Sequence, residues 1–181
     1  ALAQIPGGTL DPAAVPKYVT PLLIPPVMPR AGVVRMRNGK NADYYEISMK
    51  QISQQILPAG FPPTTVWGYG AVASASERGL RVHNAPSLTI EARWNRPVRV
   101  KWMNQLVDDK GGFLPHLLPV DQTVHWANPA GGEGSRDTNG KDPAPYTGPV
   151  PMITHVHGAH THEESDGYPE AWWLPAATNI P

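Results

Sequence analysis

Pro86-Ser87-Leu88-Thr89-Ile90-Glu91-Ala92-Arg93-Trp94 and, after Asn95-Arg96-Pro97, Val98-Arg99-Val100-Lys101-Trp102-Met103-Asn104 carry the clearest structural signal in the chain. Leu88, Ile90, Ala92 and Trp94 alternate with Thr89, Glu91 and Arg93, and Val98, Val100 and Trp102 resume the alternation beyond the break. A period of two sends alternate side chains to opposite faces of a strand. The pattern predicts two half-buried strands joined by a tight turn at Asn95-Arg96-Pro97.

Upstream, Tyr45, Ile47 and Met49 alternate with Glu46, Ser48 and Lys50, which predicts a strand over 43–52. Pro62-Pro63-Thr64-Thr65-Val66-Trp67-Gly68-Tyr69-Gly70 predicts a turn of the chain with Trp67 under a loop, and 71–82 a flexible connection. Residues 1–30 contain seven prolines and no periodicity, the pattern of an extended arm. Downstream, 108–112 reads as a loop and 117–126 as a short strand carrying His125. A long exposed loop follows over 128–149, then an apolar strand over 150–157. No stretch has a helical period and there is no internal repeat. Several short strands separated by turn signals predict an all-β sandwich.

Composition narrows the function. Fifteen basic residues balance fifteen acidic ones without a basic patch, which argues against nucleic acid and anionic membrane as partners. No apolar run approaches the roughly 20 residues of a membrane span. Twenty-two prolines and 17 glycines punctuate recognisable strands, as in a loop-rich β domain. Cysteine is absent, so this polypeptide supplies no disulfide, zinc knuckle or thiolate copper ligand. The Ala-Leu-Ala start suits removal of a signal peptide.

The chemistry concentrates in Thr154-His155-Val156-His157-Gly158. On a strand both imidazoles leave one face, their Cα atoms about 6.6 Å apart. With Gly158 beside them for close backbone approach, they form half of a metal site. The spacing leaves the metal open, because imidazole suits both zinc and copper. A zinc hydrolase of the metallo-β-lactamase type needs aspartate where Ala159 stands. A cupin needs a glutamate nearer than Glu163 and a second histidine motif downstream.

Thr154-His155-Val156-His157-Gly158 followed by Ser165-Asp166-Gly167-Tyr168-Pro169-Glu170-Ala171-Trp172 resembles the first copper-binding motif of the multicopper oxidases. The resemblance is to the branch of the bacterial spore-coat laccases and bilirubin oxidases, and it covers roughly 43–175. Other blocks agree in order: Pro62-Pro63-Thr64 with Val66-Trp67-Gly68-Tyr69, Pro86 to Ala92, Val98 to Asn104, and Leu118 to His125. Phenoxazinone synthase is similar around the His-x-His-Gly but lacks the Asp-Gly-Tyr-Pro-Glu-Ala-Trp run.

The resemblance implies a cupredoxin-like Greek-key β-sandwich, with 1–42 as a proline-rich arm and 43–181 as the first cupredoxin domain of a three-domain enzyme. It implies copper in type 1, type 2 and binuclear type 3 centres, oxidation of phenolic donors one electron at a time, and reduction of dioxygen to water at a trinuclear cluster. His155 would ligate the type 2 copper and His157 a type 3 copper. Asp166 would act in the outer shell, helping to deliver protons. His160 and His162 fall where the family has no ligands and read as solvent-exposed. His125 packs near the site, His83 and His116 read as surface, and Trp172 and Trp173 as a packing plug beside the metal strand. The family also implies an extracytoplasmic location.

The chain carries one such motif and no cysteine. The expectation is an N-terminal part lacking its closing strands, completed by the missing C-terminal part or by a second polypeptide that supplies the other ligands. The rival from another class is a non-enzymatic copper-binding module.

Overall fold

The computed structural model describes residues 10–72, 83–118, 149–167 and 173–175. The chain divides into two compact units, Leu10–Met103 and a second whose described part begins at Asn104.

In the first unit one long strand is the hub. β1 (Gly32–Arg35), β3 (Thr64–Ala71) and β4 (Val98–Asn104) all pair with β2 (Asn41–Gln54). β1 is antiparallel to β2 with Gly32 opposite Tyr44, and β3 is antiparallel with Ile47 opposite Ala71 and Gln54 opposite Thr64. Alternation decides which face of β2 is inside. Tyr45 and Ile47 are buried in a cluster with Met28, Ala71 and Leu88, against which Tyr69, Val98, Val100 and Trp102 pack. Burial of Met28, Ile47 and Leu88 contributes about 1.5–3 kcal/mol of transfer free energy each. Apart from single-turn helices at Pro12–Ala14 and Glu163–Asp166, the regular structure described is strand. The protein is all-β, an open antiparallel sheet forming part of a cupredoxin-like β-sandwich.

The structure corrects several expectations of strand placement. β2 is longer than 43–52, and its polar positions are not all on a solvated face. Ser48 is fully buried, covered by the segment that carries His83, whose Nε2 lies 2.8 Å from the Ser48 hydroxyl. His83 is therefore half-buried and not a surface residue. Burial first, then the charge of Lys50, push its pKa below 6.5, against a hydrogen bond with the Ser48 backbone.

Thr64–Ala71 is a strand and not a turn. Trp67 lies on it, its indole N–H donating to Gln51 Oε1 at 3.3 Å. The stretch 86–94 is the converse case. It makes one parallel bridge, Thr89 with Val27, through Met28 N–H to Thr89 O (2.8 Å) and Thr89 N–H to Pro26 O (3.0 Å). Its neighbour contains Pro25, Pro26 and Pro29, which have no amide to extend a ladder. Leu88 is buried as the alternation requires, but Ile90 is exposed and Trp94 is 99% exposed. The turn falls where expected: Arg96 N–H donates to Arg93 O, with Asn95 at φ +58°.

Among the described residues of the proline-rich stretch, its far end is docked. Met28 is in the core and Ala31 N–H donates to Tyr44 O, while Tyr18, Leu22 and Ile24 are exposed. Asp43 fixes the geometry where the arm meets the sheet. Its carboxylate, 2% exposed, accepts from Arg30 at 3.0 Å and from Arg96 at 2.8 Å. Burial alone pushes its pKa up. Hydrogen bonds from Arg96 and Arg30 and their charges prevail, and hold the carboxyl below its ordinary range.

The loop expected over 108–112 is present. Asp108 Oδ1 accepts from Lys110 N–H and Gly112 N–H, inside a bridge between Val107 and Phe113. The connection over 73–82 and most of 117–149, with the expected strand, His125 and the long loop, lie outside the described residues.

Candidate metal centre

The segment holding the histidines is anchored in the second unit by Asn104. Its side-chain amide donates to Val150 O at 2.8 Å and Trp173 O at 3.2 Å, and its Oδ1 accepts from Leu106 N–H at 3.2 Å. Met152 exchanges both backbone hydrogen bonds with Trp173, at 2.9 and 3.1 Å. Val150, Met152, Leu106 and Leu174 are buried. Trp173 thus runs beside the histidine segment, as its reading as a packing neighbour requires. Trp172 lies outside the described residues.

Beyond Met152 the regular strand expected to 157 does not form. A strand needs a ladder partner, and 153–157 faces a helical turn instead. Val156 N–H donates to Ser165 O at 2.7 Å. Ser165 and Asp166 belong to α1 (Glu163–Asp166), closed by Ser165 and Asp166 N–H groups on His162 O and by Gly167 N–H on Glu163 O. Gly158 is a turn residue at φ +75° with nothing near a Cβ built there, so its role is the turn and not a close approach. Gly167 is the close approach. Its φ is +88°, and an added Cβ would meet His155 Cβ at 2.6 Å.

The histidines are nevertheless brought together. The rings of His155 and His157 have centroids 6.0 Å apart and planes at 87°. Both are exposed, as are Asp166, at the end of α1, and His160 and His162. His116 is half-buried and burial lowers its pKa, so it is not a plain surface residue. Among the described residues no three His, Asp or Glu side chains converge to hold a metal. The donor set fits copper as part of a centre: two neighbouring exposed imidazoles, needing further ligands from elsewhere. Asn104 and Gly167, which hold the segment and His155 in place, were not singled out by the sequence pattern. Gly167 carried the only usable signal, a glycine directly after Asp166.

Fold and site together define a β-sandwich part that presents a histidine pair. The chain matches no protein-family model. It is 32% identical over 157 residues to a laccase of Bacillus subtilis (strain 168), and 33% identical over 157 residues to a laccase of Bacillus stratosphericus. Each match covers 87% of this chain and 23% of the relative. It is also 35% identical over 112 residues to multicopper oxidase LPR1 homolog 3 of Oryza sativa subsp. japonica, covering 62% of this chain and 16% of the relative. The chain belongs to the multicopper oxidase family, and corresponds to an N-terminal portion of such a protein. It spans about a quarter of the length of the laccases it matches.

Proposed function

We propose that this chain is the N-terminal cupredoxin part of a laccase-like or bilirubin-oxidase-like enzyme that oxidises phenolic donors and reduces dioxygen to water. The observation that carries the proposal is the adjacent pair His155 and His157, exposed and 6.0 Å apart, within a stretch that aligns with laccases over 87% of the chain. His155 would hold a type 2 copper and His157 a type 3 copper of one trinuclear cluster. Bound copper supplies the one-electron chemistry that links donor oxidation to oxygen reduction.

The protein residues do the rest. His155 and His157 donate ring nitrogen lone pairs, so each must be neutral at that atom. Gly167 lets the chain cross His155 without pushing it aside. Asp166, an exposed carboxylate one residue earlier, would act in the outer shell, helping to deliver protons. The chain has no cysteine, so the blue-copper ligand and the remaining histidines come from polypeptide outside this sequence. We assign them to the remaining part of the enzyme, either further along the same polypeptide or on a second one bound to it, and place the protein outside the cytoplasm by the family's habit.

The test is oxygen uptake by the intact protein with a phenolic donor, beside the variants His155→Ala and His157→Ala. Loss of at least a hundredfold in turnover in each variant, with copper content reduced, is expected. Turnover unchanged in both would overturn the assignment. Denaturing mass analysis of the native sample tells the two apart: one polypeptide well above 19.6 kDa in the first case, a second, cysteine-containing polypeptide in the other.

A further inference from the structure

The sheet of the first unit has a second face, turned away from the core. Val98, Val100 and Trp102 of β4 pack against the core cluster, so strand alternation sends Arg99 and Lys101 to the opposite face. Tyr45 and Ile47 of β2 lie in that cluster, which places Tyr44 and Glu46 on the outer face as well. Val34 of β1 stands opposite Ala42, two residues before Tyr44, and shares that face.

These strands enclose a groove. Val34, Tyr44, Arg99, Val100 and Lys101 line a cavity of about 450 Å³ that opens to solvent, within the roughly 300–1,000 Å³ of small-molecule sites. Two valines and a tyrosine ring make its apolar part, and Arg99 and Lys101 bring two cations to it. The Tyr44 hydroxyl donates to Glu46 Oε1 at 2.9 Å, and Lys101 Nζ lies 3.9 Å from the same oxygen. That hydrogen bond first, then burial and the Glu46 charge, raise the Tyr44 pKa, while the charge of Arg99 opposes them. Arg99 is thus within electrostatic reach of the groove's polar end. Glu46 is engaged by Tyr44 and Lys101, and two cations against one carboxylate leave this network a positive charge in excess.

We propose that this groove binds a small organic anion with a flat apolar body and one carboxylate, the body against Val34, Val100 and the Tyr44 ring and the carboxylate on Arg99. An apolar body gains by leaving water for the valines and the ring. The planar guanidinium fork of Arg99 matches a carboxylate through two parallel hydrogen bonds, and a charged acceptor makes each of them stronger than a neutral one would. The anion also offsets the excess positive charge, which a neutral ligand of the same shape does not. The site uses none of the residues of the proposed copper centre, so it stands or falls apart from that reading.

The experiment is equilibrium dialysis of the intact protein against radiolabelled benzoate, repeated with benzamide, its neutral analogue. The parent is compared with Arg99→Gln, with Arg99→Lys, and with Lys110→Gln, which removes an exposed cation of the other unit. The groove predicts one equivalent of bound benzoate, with affinity at least tenfold lower in Arg99→Gln, partly restored in Arg99→Lys and unchanged in Lys110→Gln. Benzamide should bind the parent at least tenfold more weakly than benzoate, a comparison that needs no variant to fold. Equal affinity in the parent and Arg99→Gln would place the anion elsewhere, a bound copper included, and overturn the inference. An equal loss in Lys110→Gln would reduce the effect to overall charge and overturn it too. No bound benzoate at all, the outcome if the remaining part of the enzyme is seated on this face, would also overturn it. Circular dichroism of the Arg99 variants should match the parent, since the side chain is exposed.

Discussion

Gly167 lies so close to His155 that a single added carbon would stand 2.6 Å from the histidine Cβ. The glycine also holds φ +88°, a backbone region that L side chains rarely occupy. Position 167 therefore sets where the first imidazole sits. Gly167→Ala is expected to cost about 1–3 kcal/mol of local strain and to weaken copper binding at His155 by about 10–100-fold. Copper titration beside a thermal melt checks both. Unchanged affinity would show that His155 is positioned by something else.

Asn104 ties its own segment to those of Val150 and Trp173 through one side chain. Asn104→Ala removes the partner of the Val150 carbonyl and of the Leu106 amide, while the Trp173 carbonyl keeps Met152 N–H, and a buried polar group left unpaired costs about 1–3 kcal/mol. The urea midpoint should fall accordingly. Faster amide exchange at Met152 and Trp173 would locate the damage.

Asp43 gives the first unit an acid sensitivity. Its folded pKa lies below the ordinary value of 3.8, so its contribution is complete above that value and is lost as pH falls through the depressed folded value. Asp43→Asn should lower the melting temperature at neutral pH and flatten the decline of stability below about pH 4. Melting curves across an acid series decide it. A parallel decline in parent and variant would contradict the assignment.

How much of this was written in the sequence depends on whether a pattern carries its own partner. Tyr45, Ile47 and Met49 announced β2 because alternation is local. The pairing of His155 with His157 was legible for the same reason, although the strand drawn through them was not there. What decided 153–157 was Val156 donating to Ser165, a contact with a helical turn too short to show a period. β3 was hidden by Gly68 and Gly70, which supply no side chain to alternate, and by Pro62-Pro63, which read as a turn. The run 88–94 had the alternation of a strand but met a neighbour whose prolines supply too few amides to pair with. Asn104 and Gly167 act through distant contacts that no spacing rule reaches.

His83 offers an independent check on the first unit. Its pKa is lowered, chiefly by burial, so the folded state takes up its proton later than the unfolded chain does. The associated stability is present above pH 6.5 and declines as pH falls through the folded value. A proton NMR titration should place the His83 midpoint below 6.5, and His83→Gln should remove that part of the pH dependence. A midpoint at or above 6.5 would mean that the Ser48 contact does not bury the ring.

The central claim is that His155 and His157 are copper ligands, and anomalous diffraction at the copper absorption edge from crystals of the intact protein tests it most directly. Two separate copper peaks, one within bonding distance of each imidazole, are the predicted result. Copper peaks elsewhere with both imidazoles unligated, or no copper peak at all in an active preparation, would contradict it.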